Sequence, residues 1–172
     1  MKTKFKNLIV LVIIASLSTF GLGGCAKADP NILNDYSANL FYVNDQYVQT
    51  GDDVAYEPLM PAFEMKINTT KATLAKDLLE QLKTVPKEDN YGTMVTDKIV
   101  FKSVTIDGDT ANVDFSSVGL NGSSTQETLI ISQILSTIFY NFKEVKQVQF
   151  LVDGQIAESL MGHIGASEPF PR

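Results

Sequence analysis

Cysteine and histidine are nearly absent from the 172-residue sequence, which contains one residue of each type. A single cysteine, Cys25, excludes an internal disulfide, so the fold must depend on its hydrophobic core alone. A single histidine, His163, excludes a metal site built from several histidines. The sequence also contains no glycine-rich phosphate-binding loop. We therefore expect neither a bound metal nor a cofactor.

Basic residues are also scarce, because the sequence has 14 lysines and arginines against 20 aspartates and glutamates. Residues 1–24 contain three of the lysines and no acidic residue, so the rest of the chain has 11 basic and 20 acidic residues, a net charge of −9. Such a surface repels nucleic acids and anionic lipid headgroups. We expect no nucleic-acid partner, and the simplest interpretation of the charge is solubility.

The first 24 residues have the order of a bacterial secretory signal peptide. Lysines at positions 2, 4 and 6 precede an apolar run at residues 8–17 that only Ser16 interrupts, and small residues follow the run. The run is shorter than the ~20 residues that a membrane-spanning helix needs. Residues 1–24 are therefore predicted to be a signal peptide and not a membrane span.

The sequence Leu22-Gly23-Gly24-Cys25 follows this run. It resembles the lipobox of bacterial lipoproteins, in which the cysteine thiol receives a diacylglycerol and becomes the first mature residue. The resemblance implies that Leu22, Gly23 and Gly24 form the cleavage motif and that Cys25 is lipidated, which leaves no catalytic thiol. The alternative is an ordinary secretory signal with an incidental cysteine. A diacyl group supplies the two chains that stable anchoring needs, so we expect the protein on the outer face of the cytoplasmic membrane.

The remaining sequence predicts a tether at residues 25–38 and one domain at residues 39–172. Alternating and branched apolar residues predict strands at residues 39–43, 47–54, 63–67, 99–106, 110–115, 145–152 and 156–160. Helical periodicity predicts helices over residues 71–84 and 125–142, with a polar loop at 87–96 and an irregular tail at 161–172. This order indicates an α+β fold, with both helices on one face of a mostly antiparallel sheet.

Short polar motifs predict where these elements begin and turn. Thr69 or Thr70 is the predicted N-cap of the first helix, and Ser124 with Glu127 matches a capping box for the second. Asp-Gly pairs at residues 107–108 and 153–154 predict two tight turns. In the first hairpin, the spacing of Val100, Val104 and Ile106 predicts that they share one face.

The last 28 residues, VKQVQFLVDGQIAESLMGHIGASEPFPR, resemble the end of the GerMN domain of the GerM family of sporulation and germination lipoproteins. Upstream, the LFYVND strand, the helix at Lys71, the VTIDGDTANVDFS hairpin and the QETLIISQIL helix agree with that domain in order. The resemblance therefore covers residues 40–172. The family motif at the C-terminal end consists of Asp153, Gly154, Gly162, His163, Ser167, Glu168, Pro169 and Arg172.

The resemblance implies a small domain similar to the ring-building motifs of secretion machines. It also implies a non-enzymatic role in assembling the envelope during sporulation or germination, with an envelope protein as partner. The motif residues are then structural and not catalytic. Sporulation GerM proteins carry two tandem copies of the domain, whereas this sequence has room for one, and the difference favours a general envelope role.

Few other residues could carry chemistry. His163 has Ser159, Ser167 and Asp153 near it in sequence, so a Ser-His-Asp arrangement is one hypothesis, but no nucleophile-elbow motif accompanies it. The other hypothesis is that His163 hydrogen-bonds a backbone group and holds the tail against the sheet. The acidic pairs at residues 52–53 and 107–109 fit turns better than calcium loops. Glu168 and Arg172 could pair with each other or with the sheet.

A second function is compatible with the predicted location. The chain could be a ligand-binding lipoprotein or an accessory to a hydrolase of the cell wall. That function predicts a deep pocket lined by aromatic side chains and converging polar groups. The candidate aromatic residues are Phe41, Tyr42, Tyr56 and Tyr91, and core packing explains them equally well.

Overall fold

A computed structural model describes residues 29–172. The predicted signal peptide and the lipobox residues Leu22, Gly23, Gly24 and Cys25 lie outside the described residues. The described helices are α1 (Asp45–Thr50), α2 (Leu74–Gln81) and α3 (Ser124–Asn141). The described strands are β1 (Leu33–Leu40), β2 (Val43–Asn44), β3 (Phe63–Thr70), β4 (Tyr91–Gly92), β5 (Phe101–Asp107), β6 (Thr110–Phe115), β7 (Gln147–Val152), β8 (Gln155–Ile156) and β9 (Phe170–Pro171).

The strands form one main sheet and two small ones. The main sheet has the order β5-β6-β7-β8, and β9 also pairs with β7. Pairs β1-β3 and β2-β4 form the two small sheets. All pairings are antiparallel except that of β6 with β7, because α3 crosses between these two strands and returns the chain in the same direction. The α+β prediction with a mostly antiparallel arrangement is therefore confirmed.

Helix α3 is the centre of the core. Its residues Ile130, Ile134 and Ile138 are fully buried, as the sequence pattern indicates for a helix with more than one apolar stripe. Within the main sheet, the rings of four phenylalanines follow one another with centroid distances of 5.2–5.9 Å: Phe101, Phe115, Phe150 and Phe170. The core therefore joins the helix, both strands of the β5-β6 hairpin and the C-terminal strand.

The prediction of which β5 side chains face the core is partly wrong. Val104 is buried, but Val100 is 45% exposed and Phe101 is 2% exposed. The pairing of β5 with β6 shifts by one residue between Phe101 and Ser103, which is a β-bulge. Because a bulge adds one residue to one strand, it reverses which side chains face the core beyond it. The bulky phenylalanine thus replaces the valine in the core.

The predicted tether is wrong for its last six residues. Residues 33–38 belong to β1, which pairs with β3 from Leu33↔Thr70 to Leu40↔Phe63. Alternation of Tyr36, Ala38 and Leu40 toward the core is the signal for this strand. Polar residues on its other face conceal the alternation when composition alone is considered.

The predicted strand at residues 47–54 is also wrong, because α1 occupies its first four residues and no strand covers the rest. The side chain of Asn44 caps the helix by accepting a hydrogen bond from the Gln46 amide at 3.0 Å. Gly51 ends the helix with a φ of +67°, a conformation that glycine adopts without strain. These two capping residues define a short helix, which the strand-favouring residue types Tyr47 and Val48 conceal in the sequence.

The remaining boundaries differ in smaller ways. Helix α2 begins at Leu74 with Thr73 as its N-cap, because β3 continues to Thr70 and occupies the predicted capping threonines. The loop at residues 87–96 contains β4, and the tail contains β9. The return strand predicted at residues 156–160 is only the two residues of β8. None of the helices within residues 29–172 has the length and apolar character of a membrane span.

Candidate functional site

A buried carboxylate in α3 holds part of the C-terminal tail. Glu127 is fully buried, and its Oε1 accepts hydrogen bonds from the amides of Leu160 at 2.8 Å and Met161 at 2.9 Å. Its Oε2 accepts a third from the amide of His163 at 2.8 Å. We call Glu127 together with the backbone of residues 160–163 the tail clasp. It satisfies three amides that strand pairing leaves unused.

Local structure explains why Glu127 can remain buried there. Ser123 caps α3 by accepting a hydrogen bond from the Gln126 amide, so Glu127 lies in the first turn, where the helix dipole favours a negative charge. Gly162 has a φ of +92°, which lets the tail turn its amides toward one carboxylate. The predicted capping box at Ser124 is wrong by one residue, and the glutamate binds the tail and not the cap.

His163 lies beside the tail clasp. Its Nε2 is 3.1 Å from the carbonyl oxygen of Gly122, in the loop before α3. Ser159 is also occupied, since its Oγ accepts a hydrogen bond from the Gly162 amide at 2.8 Å. The hydrogen bonds of these groups therefore do not assemble the hypothetical Ser-His-Asp arrangement. His163 does bond a backbone group, as the other hypothesis predicts, but it holds the tail against the loop before α3 and not against the sheet.

The Asp153-Gly154 pair forms the turn between β7 and β8. Both residues have positive φ, +50° and +79°. The Asp153 carboxylate accepts a hydrogen bond from the Ser117 amide at 3.2 Å and pairs with the Lys102 ammonium at 3.0 Å. The hydrogen bond from Ser117 and the lysine contact lower the pKa of this exposed carboxyl. The turn thus links β7 to β5, the strand at one edge of the main sheet. This contact agrees with the prediction that Asp153 and Gly154 have a structural role.

Arg172 fastens the end of the tail to the end of α3. Its Nη2 donates to the carbonyl oxygens of Phe142 at 2.7 Å and Val145 at 2.6 Å, and its Nε donates to Val145 at 2.9 Å. A guanidinium at a helix C-terminus satisfies unpaired carbonyls and the helix dipole together. Arg172 therefore contacts backbone groups and not Glu168, which is exposed together with Ser167.

A ladder of polar side chains on α3 closes one edge of β1. Gln133, Thr137 and Asn141 recur at four-residue intervals and are buried or half-buried. Asn141 bonds both backbone groups of Asn39, and Thr137 Oγ1 accepts from the Phe41 amide at 3.2 Å. Gln133 donates to the Phe41 carbonyl at 3.3 Å and accepts from the Met94 amide at 2.8 Å. The helix side chains thus replace a neighbouring strand.

Of the four candidate aromatic residues, Tyr42 lies in the core and Tyr91 packs against it. Tyr42 and Tyr91 meet edge to face with a centroid distance of 5.9 Å, and both contact Phe63. The Tyr42 hydroxyl lies 2.9 Å from the carbonyl oxygen of Thr84 and 3.2 Å from that of Gln81, at the end of α2. Burial raises the pKa of Tyr42 to about 12. Core packing, and not a ligand pocket, therefore explains Tyr42 and Tyr91.

The other two candidates, Phe41 and Tyr56, line an open groove of about 810 Å³ between α3 and the loop before β3. We call it the side groove. Its lining is mostly apolar and consists of Phe41, Asn44, Ala55, Tyr56, Glu57, Pro58, Leu59, Met60, Pro61, Ser132, Leu135 and Ser136. The groove is large enough for a small ligand or a short peptide segment. Only the tertiary structure brings α3 next to this loop.

The acidic turns have structural roles as well. Asp52 Oδ1 accepts hydrogen bonds from the amides of Val54 and Ala55, which is the pattern of an Asx turn. Asp109 pairs with Lys146 at 3.2 Å. Within the part of the chain that the structure describes, no three histidine, cysteine or acidic side chains form a metal-binding group.

The comparisons with known proteins agree with this architecture. Residues 39–158 match the Germane family, described as "Sporulation and spore germination". Because the match covers more than half of the chain, the chain belongs to this family. The resemblance to the GerMN domain is thereby confirmed. No curated protein matches the chain.

Three solved structures have the same fold at low sequence identity. The first GerMN domain of the sporulation protein GerM from Bacillus subtilis is 17% identical, with a TM-score of 0.62, over 80% of this chain and 98% of that one. The tandem GerMN domains of GerM are 16% identical, with a TM-score of 0.59, over 81% of this chain and 45% of the tandem. A Clostridium perfringens protein described as a lipoprotein is 20% identical, with a TM-score of 0.52, over 81% of this chain and 88% of its own. The chain thus spans about half of the tandem structure.

Proposed function

We propose that the chain is a lipid-anchored extracytoplasmic protein whose GerMN-type domain acts as a protein-interaction module in sporulation, germination or another function of the cell envelope. The match to the Germane family over residues 39–158 carries this proposal. Two structural relatives add support, because one is described as a sporulation protein and the other as a lipoprotein. The partners are then the bacterial membrane, bound through Cys25, and an envelope protein.

The polar groups of the domain support binding over catalysis. The carboxylate of Glu127 is occupied by three backbone amides, so it has little capacity left to act as a general base. The ring of His163 contacts a carbonyl oxygen, and Asp153 contacts Lys102 and Ser117. Each group therefore stabilises a turn or the tail, as expected for a rigid scaffold that presents a surface.

Metabolic labelling tests the anchor. Cells that express the full chain and receive labelled palmitate should yield labelled protein, and Cys25→Ala should abolish the label, since the sequence contains no other cysteine. Ser167→Ala, at an exposed position, is the matched control and should retain it. Label on the Cys25→Ala variant, or none on the unchanged chain, would refute lipidation at this residue.

Photo-crosslinking in the native bacterium tests the interaction. A photoreactive residue placed at single exposed positions should capture one defined envelope protein from a contiguous set of positions and not from the others. Suitable positions include Val54, Val118 and Ile156, which are 94%, 75% and 61% exposed. A deletion strain should form fewer spores, germinate more slowly or show an envelope defect. An expressed protein that captures nothing, in a strain whose deletion has no phenotype, would count against the module.

The side groove favours one second candidate, a ligand-binding lipoprotein. Leu135 lies in its lining, so Leu135→Arg should fill the groove and prevent binding. Native mass spectrometry of protein extracted gently from the envelope should show a bound small molecule that this variant lacks. Ile156→Arg, at an exposed position in β8, is the control and should retain the molecule. Extracted protein without any adduct would exclude a tightly bound ligand.

A further inference from the structure

The domain exposes two neighbouring apolar side chains where its described part begins. Ile32 is 57% exposed and Leu33 is 63% exposed, at the start of β1. They follow Cys25 by seven and eight residues. Exposed aliphatic side chains are common singly, but two adjacent ones that follow the proposed anchor closely in sequence require a physical explanation.

Several other segments meet the start of β1 at the same end of the domain. The carbonyl oxygen of Pro30 accepts a hydrogen bond from the Ala72 amide at 3.1 Å, and that of Asp109 accepts one from the Lys146 amide at 2.7 Å. One cleft in this region is lined by residues from each of these segments, including Tyr36, Ala72, Gly108 and Glu144. We call this part of the surface the anchor end; it consists of residues 29–34, 70–73, 107–110, 142–146 and 170–172.

Charge is distributed unevenly between the anchor end and the rest of the domain. The anchor end is balanced, with four basic and four acidic residues: Lys71, Lys143, Lys146, Arg172, Asp29, Asp107, Asp109 and Glu144. The other described residues include six basic and sixteen acidic ones, a net charge of −10. An anionic membrane surface therefore repels the rest of the domain, taken as a whole, more strongly than it repels this end.

The length of chain between the anchor and the domain limits the possible orientations. Asp29 follows Cys25 by four residues, and four fully extended residues span at most about 14 Å. The headgroup layer on one side of a bilayer occupies about 5–8 Å of that reach. The start of the domain must therefore stay within about 6–9 Å of the headgroups.

We propose that the anchor end lies against the bilayer, with Ile32 and Leu33 inserted into the headgroup region and the tail clasp directed away from the membrane. The inference rests on the proposed lipid anchor at Cys25. Helix α3 separates the two ends, because its 18 residues begin beside the tail clasp and finish at the anchor end. At 1.5 Å per residue the helix is about 27 Å long. The surface around His163 and the Asp153-Gly154 turn is then free for a protein partner.

Tryptophan fluorescence tests this orientation without background, because the sequence contains no tryptophan. Full-length protein is expressed in bacteria, purified from their membranes, checked by mass spectrometry for lipid on Cys25, and reconstituted into vesicles of phosphatidylcholine and phosphatidylglycerol. Acyl-brominated phosphatidylcholine serves as the quencher. The variants Ile32→Trp and Leu33→Trp should show blue-shifted emission and several-fold stronger quenching than Ile156→Trp. Ile156 is a matched control, since it is 61% exposed and lies beyond β7 at the opposite end.

Each of the other outcomes overturns either the orientation alone or the orientation together with the lipid anchor. Lipidated, vesicle-bound protein that quenches equally at all three positions overturns the orientation and leaves the anchor intact. A blue shift of Ile32→Trp that needs no vesicles and grows with protein concentration assigns the apolar pair to a second copy of the chain. Protein without lipid on Cys25 overturns the anchor and the orientation together.

Discussion

Replacing Glu127 with glutamine tests the tail clasp with almost no change of shape. The amide retains one oxygen, which can still accept from Leu160 and Met161, but these bonds lose their charge-assisted strength. Its NH2 group replaces Oε2 and faces the His163 amide, so two donors meet in a site without solvent exposure. The perturbation therefore removes one hydrogen bond, weakens two others and leaves one amide unpaired.

The magnitude follows from these three changes. Hydrogen bonds to charged groups contribute about 1.5–3 kcal/mol and neutral ones about 0.5–1.5 kcal/mol, so the two weakened bonds lose about 1 kcal/mol each. The unpaired amide costs a further ~1–3 kcal/mol, and relief from burying a charge offsets part of the total. We expect Glu127→Gln to lower the free energy of unfolding by about 2–4 kcal/mol, which corresponds to about 6–12 °C in melting temperature for a domain of this size.

Urea denaturation followed by circular dichroism measures the loss. The control is Glu144→Gln, an identical chemical change at an exposed position, which should stay within about 0.5 kcal/mol of the unchanged protein. Hydrogen exchange provides a local measurement, because the amides of residues 160–163 should exchange faster in Glu127→Gln while those of β6 change less. Equal stability of the two variants, with unchanged exchange at residues 160–163, would refute the reasoning.

Three further substitutions test other parts of the fold. Tyr42→Phe should lower the free energy of unfolding by about 1 kcal/mol at neutral pH. The unchanged protein should also lose stability as pH rises from about 10, the unfolded pKa of tyrosine, toward the folded pKa of Tyr42, about 12, and the variant should lack this loss. Denaturation at each pH and the absorbance at 295 nm measure the difference, and equal alkaline losses in the two proteins would contradict it. Gln133→Ala should cost about 2–4 kcal/mol because it leaves the Phe41 carbonyl and the Met94 amide unpaired, whereas exposed Gln155→Ala should be nearly neutral in the same denaturation assay. Phe101→Ala should cost about 3–5 kcal/mol and Val100→Ala under about 1 kcal/mol; the reverse order would show that the bulge is absent.

The sequence was sufficient where structure depends on neighbours along the chain. The β5-β6 hairpin follows from two alternating segments around Asp107-Gly108, since a two-residue turn determines which residues pair. Helices α2 and α3 follow from apolar residues at helical spacing, with boundaries correct within a few residues. Motif order was also sufficient to assign the chain to its family, because it depends only on the sequence.

Tertiary contacts decided the features that sequence patterns misplaced. Strand β1 was assigned to the tether because its partner, β3, lies more than 20 residues away and its exposed face is polar. The face of β5 was misassigned at Val100 because a bulge is a property of two paired strands. Helix α1 was missed because its caps, Asn44 and Gly51, enclose only six residues, and its two apolar residues, Tyr47 and Val48, are of types that favour strands.

The candidate functional residues divide in the same way, into features that the sequence determined and contacts that only the tertiary structure decided. The sequence alone determined that the lone cysteine stands in a lipobox-like motif, that His163 has no second histidine, and that Asp153-Gly154 is a turn, because each depends on composition or adjacent residues. Only the tertiary structure decided that Glu127 binds the tail, that Gln133 closes a strand edge and that Arg172 caps α3. These contacts join residues 27–92 positions apart, and a polar side chain looks the same in sequence whether it faces water or a buried amide. Which of the two it faces depends on how the helix packs against the sheet and tail.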